Sequence, residues 1–158
     1  MSEESSTNEE SRPHHVAPSD WFLQNLVLDG LELPVTLQMH GLLVYGTLVS
    51  GRDYFEGLAS ELTSDLSPEG VQAITNLLEP YIEFYQGREI EDSKEEADPP
   101  LPAFIHLRDA KFFNTAGRPI PGNRGVWWRG RISEVDGFML GILKAKDEED
   151  PDDDSGGD

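Results

Sequence analysis

Residues 31–39 alternate without a break: Leu31, Leu33, Val35, Leu37 and Met39 fall on one side, Glu32, Pro34, Thr36 and Gln38 on the other. Period two sends successive side chains to opposite faces of a pleated backbone, so this stretch reads as a strand with one face on a core. Pro34 has no N–H to give to a ladder, which points to an edge position. His40-Gly41 then offers a two-residue turn, and residues 42–49 read as the returning strand of a hairpin.

After Ser50-Gly51 the period changes. Tyr54, Phe55, Leu58 and Leu62 recur at helical spacing, with Asp53 near the start. Ser67-Pro68-Glu69 supplies an N-cap, a proline at the first helical position and an acid in the first turn. The stripe Val71, Ile74, Leu78, Tyr81, Ile82, Tyr85 predicts a second helix, which Pro80 should kink or end early. A short helix with Ser19 as N-cap and Gly30 as stop precedes the first strand. Residues 87–102 are charged and then proline-rich, and read as a flexible loop. Strand signals return at 104–113, with an irregularity expected at Arg108-Asp109-Ala110, and residues 117–125 form a Gly/Pro/Asn loop. Val126-Trp127-Trp128 leads through Ile132 and Val135 to Asp136-Gly137, a tight-turn signal that makes residues 138–143 the partner strand. The expected fold is therefore α+β. About five mostly antiparallel strands form a small twisted sheet or partly open barrel, with two helices inserted between strands two and three and a short N-terminal helix.

Charge divides the chain more sharply than composition does. The net charge is −19, and residues 147–158 alone hold eight acids and no base. Residues 20–86 carry ten acids against one base, whereas residues 99–146 carry three acids against eight bases. An acidic tail thus follows a basic half-domain. Residues 1–18 are polar and acidic and cannot bury enough surface to order themselves, so a single domain is expected over 19–146 between two disordered acidic tails, 1–18 and 147–158. With no cysteine, a disulfide framework, a thiolate metal site and a Cys nucleophile are excluded together. Neither a secretory signal nor a membrane-spanning apolar run is visible, and the expected location is cytoplasmic.

Motifs for catalysis are thin. His14, His15, His40 and His106 share no i, i+4 spacing, so no metal site is expected and they read as tail and surface histidines. Glu134 and Asp136 flank a turn, Ser50-Gly51 lacks a nucleophile elbow, and residues 117–125 lack a phosphate-binding loop pattern. No cofactor and no enzymatic activity are expected. The stronger lead is Trp127-Trp128-Arg129-Gly130-Arg131. Alternation puts one tryptophan on each face, with Arg129 and Arg131 beside Trp127, and Arg124 just upstream. Those four residues make a candidate partner-binding surface. The opposing picture has Trp128 in the core and the arginines solvated, facing this chain's own acids. Nucleic acid is disfavoured as a partner because two acidic tails repel phosphates. The acidic cluster Asp147, Glu148, Glu149, Asp150, Asp152, Asp153 and Asp154 is the candidate self-association element, reaching the basic half of another copy; a plain solubility tail is the alternative.

Three blocks carry a resemblance: GTLVSGRDYFEGL at 46–58, FIHLRDAKFF at 104–113 and WWRGRISEVDGFMLGIL at 127–143. Together they resemble the gas vesicle accessory protein U family. The resemblance implies a cytoplasmic, non-enzymatic protein of the buoyancy machinery, possessing no catalytic residues, that binds gas vesicle shell or assembly proteins and promotes vesicle assembly and clustering. It also implies mostly structural roles for Gly46, Gly130, Asp136-Gly137, Trp128 and Phe138. The alternative reading is a small barrel-like module that binds single-stranded nucleic acid through Trp127, Arg129 and Arg131.

Overall fold

Both residues of the His40-Gly41 turn adopt positive φ, 47° and 82°. That is the backbone twist a two-residue hairpin needs, and it joins β1 (Pro34–Met39) to β2 (Leu42–Val49) in a regular antiparallel ladder. The computed structural model describes residues 21–91 and 101–114, residues 116, 118 and 120, and residues 124–141. Before the hairpin comes α1 (Trp21–Leu28), which stops at Gly30 with φ 61°. After it come α2 (Gly51–Thr63) and α3 (Pro68–Glu91). The chain then returns to the sheet as β3 (Phe104–Asn114) and β4 (Val126–Arg131), makes a single 3-10 turn at Ile132–Glu134, and ends its described part in β5 (Gly137–Leu140). The strands lie in the order β4-β3-β2-β1-β5, every neighbouring pair antiparallel. The sheet is open, and the α+β class with two inserted helices and a short N-terminal helix is what the sequence predicts.

Three expectations need correction. The Asp136-Gly137 pair does not close a hairpin between β4 and β5, which sit at opposite edges of the sheet. The chain crosses over instead, burying Ile132 and Val135 on the way. Burying both side chains stabilises by about 3–6 kcal/mol, more than one turn's local preference supplies. Gly137 keeps negative φ, and Asp136 serves the other turn: its Oδ2 accepts from His40 N at 2.7 Å. The second correction follows from the first. With β5 alongside, β1 is an interior strand, and Pro34 is tolerated because it opens the strand and uses only its carbonyl, which accepts from Gly141 N at 2.8 Å. Third, α3 runs through Pro80 and on to Glu91, so part of the stretch read as a loop from residue 87 is helix. Residues 92–100 of that loop, the Ser19 cap, both tails and most of the 117–125 loop lie outside the described residues. The irregularity at Arg108-Asp109-Ala110 is present as a register shift, with Asp109 at φ 54°.

The sheet carries a core on each face. On one, Val35, Leu37, Val44, Leu48, Ile105 and Leu107 pack under α1 and the crossover, with Trp128 and Phe138 at the margin. On the other, Val49 packs with Tyr54, Phe55 and Leu78 from α2 and α3, and Trp127 joins them. Ser50 caps α2, its Oγ accepting from Asp53 N at 3.0 Å and donating to Asp53 Oδ2 at 2.8 Å.

Candidate functional site

The strand parity read from the sequence holds. Leu107 opposite Trp128 belongs to the α1 face, and His106 opposite Arg129 to the helical face, with Arg131 opposite Phe104 on the same side. The surroundings of these residues differ from one another. Trp127 is half-buried beneath α2, edge-on to Tyr54 at 6.1 Å. Its indole fills the space that a side chain at Gly57 would occupy. Arg131 and Arg124 are exposed, and Arg124 reaches Glu61 of α2 at 3.5 Å. A pair that exposed contributes at most about 1 kcal/mol. Arg129 is half-buried: its guanidinium lies 3.7 Å over the Phe104 ring and 5.6 Å from that of Phe55. The structure therefore does not bring the four candidates to one open surface. The acidic cluster at 147–154 lies outside the described residues.

Arg129 instead faces a cavity of about 590 Å³. Its floor is the sheet at Phe104, His106 and Arg129, and its walls are the end of α1, the last turns of α3 and the 101–103 segment. Ser50 and Gly51, at the start of α2, close one end. Tyr81, Phe84 and Tyr85 give α3's side of it an aromatic lining.

His106 is the residue the sequence reading misplaced. It is 1% exposed, so it is no surface histidine, and it sits among Tyr54, Phe55 and Tyr85 at ring distances of 4.8, 6.0 and 5.5 Å. Among the described residues neither ring nitrogen has a hydrogen-bond partner. Burial, aided by the Arg129 charge, pushes its pKa down to about 3, so the imidazole is neutral. Tyr54 is pushed up from its ordinary value, mainly by burial, with Arg129 acting in the opposite sense. The one available signal was a polar residue set inside the apolar run Phe104-Ile105-His106-Leu107.

Chemically, a neutral imidazole without a carboxylate or hydroxyl partner is a poor start for acid-base catalysis. Among the described residues no three His, Cys, Asp or Glu side chains cluster as metal ligands, and no helix is long and apolar enough to cross a membrane. No curated protein matches the chain, and no solved structure does. Residues 20–143 match the family described as gas vesicle protein GvpU-like. That span takes in every strand and helix of the sheet and both of its cores, and the chain belongs to that family.

Proposed function

We propose that this protein is a non-enzymatic accessory factor that binds gas vesicles or their assembly proteins in the cytoplasm and clusters them by associating with itself. The family match over residues 20–143 carries the reading, since it ties every described strand and helix to a family of gas vesicle accessory proteins that is not a known enzyme family. Two properties of the molecule support it. The described surface leaves large apolar side chains open, among them Leu77, Tyr81 and Phe84 along α3 and Met139 and Leu140 on edge strand β5. Such surfaces suit protein contacts. The charge partition supplies a second attraction: Arg131 and Arg124 stand exposed by β4, while the acids at 147–154 belong to the opposite sign.

The nucleic-acid reading finds less support, because Trp127 lies under α2 and offers no open ring for base stacking. Co-flotation tests the proposal. Intact vesicles are mixed with the full chain or with residues 20–146 and spun so that vesicles rise. The full chain should rise with them and enlarge their clusters. Protein that stays in solution, as it does with a control lacking vesicles, would rule out direct binding to the shell.

A further inference from the structure

The cavity between α3 and the sheet joins an apolar lining to buried polar groups. Its walls are mostly aromatic and aliphatic, with Arg88 of α3 among them, and its floor holds a second cation, Arg129, that no acid among the described residues answers. Among the described residues no Asp or Glu lines it, in a chain with 31 acids against 12 bases. Among the described residues Arg129 has no ion pair, and its Nε is buried without a hydrogen-bond partner. The contacts it does make, with the Phe104 and Phe55 rings, hold the guanidinium in place. They satisfy none of its N–H groups. Beside it His106, 99% buried by the measure of its 1% exposure, adds a second unpartnered polar side chain to the floor. A half-buried guanidinium loses hydration and recovers it best from a carboxylate, whose two oxygens match its planar fork.

We infer that this cavity is a binding site for a small apolar carboxylate, its charged end against Arg129 and its aliphatic or aromatic body between α3 and the 101–104 segment. The volume of about 590 Å³ lies within the usual range of small-molecule sites. A free acid matches both halves of the site. A single Asp or Glu side chain from a partner protein reaches the arginine with two or three carbons and leaves the cavity between Phe84, Tyr85 and Phe104 unfilled. The start of α2 adds a modest positive potential at Ser50-Gly51, partly offset by Asp53 in its own cap. The inference is independent of vesicle binding, and its test contains no vesicles.

The test is calorimetric titration of the purified full-length chain with decanoate, with 1-decanol as the same body without charge, and with an end-blocked peptide containing Phe and Asp. Decanoate should bind saturably, one per chain, and at least tenfold more tightly than decanol. R129Q should weaken decanoate at least tenfold while leaving decanol unchanged. A103F, placed at an exposed position on the cavity rim, should block both. Independently of any variant, decanoate methylenes should show nuclear Overhauser contacts to the Phe104 and Tyr85 rings in the wild-type protein. Absence of saturable decanoate binding, equal affinity for decanol, an unaltered R129Q, or binding of the peptide alone would each overturn the assignment.

Discussion

Burying His106 among Tyr54, Phe55, Tyr85 and Arg129 couples the fold to pH. Its folded pKa is about 3, against about 6.5 in the unfolded chain. Between those values the unfolded state binds more protons, so stability falls as pH drops from the upper value toward the lower and levels off below it, with a limiting slope of about 1.4 kcal/mol per pH unit. Wild type should therefore lose stability relative to H106F at close to that slope between about pH 6 and pH 4, as measured by urea unfolding at each pH. Parallel stabilities would mean that the imidazole is hydrated and titrates normally. Near neutrality H106F should be level with wild type or slightly better, because it removes two unpartnered nitrogens. Gly57 presents a second residue-scale test. Alanine there would gain about 1 kcal/mol in helix propensity, but its Cβ would overlap the Trp127 indole, and overpacking costs about 1–3 kcal/mol. The clash should win, giving G57A a lower urea midpoint that W127L restores. This part of the site was only half legible. Alternation placed Trp127 and Arg129 on one face, but nothing local showed that α2 would cover the tryptophan while the arginine met a cavity. The seats of the rings at Gly57 and Gly130 exist only in three dimensions.

At the scale of elements, periodicity fixed what each segment became, and neighbouring residues said little about which strands would pair. The alternation over 34–39, the His40-Gly41 turn and the Ser67-Pro68 helix start are present as read because each signal is local, whereas Leu31 lies outside the strand and exposed. Asp136-Gly137 misled for the same reason: it is a good turn pair in isolation, but the long-range burial of Ile132 and Val135 outweighs it. Pro80 does not end α3 early. It removes one helical N–H and crowds the preceding turn, a cost of about 3 kcal/mol in an isolated helix. Yet α3 continues for eleven residues beyond it, to Glu91, since Ile82 and Tyr85 pack onto the core beneath α2. Packing thus offsets the local penalty without abolishing it. P80A restores a donor for the Asn76 carbonyl at an exposed position, and should stabilise the protein by about 1–3 kcal/mol. Amide exchange should slow most in the turns flanking residue 80. Unchanged exchange would mean that the helix is already relaxed around the proline.

For the whole molecule, the partition of charge sets a contest between repulsion and bridging. A net charge of −19 should hold copies apart, whereas residues 147–158, with eight acids and no base, are opposite in sign to the basic stretch 99–146. Apolar contact through Leu77, Tyr81 and Phe84 is the other route to association, since all three are about half exposed or more. Salt separates the two. Raising ionic strength from about 0.01 to about 1 M shortens the Debye length from about 30 to about 3 Å, which weakens bridging by the tail and leaves apolar burial intact or stronger. If the acidic cluster does the bridging, light scattering should fall with salt, and the chain ending at residue 146 should scatter weakly at every salt concentration. A triple variant L77S/Y81S/F84S should then behave as wild type. If scattering instead survives both salt and truncation and disappears in the triple variant, the tail serves solubility alone and the α3 stripe joins the copies.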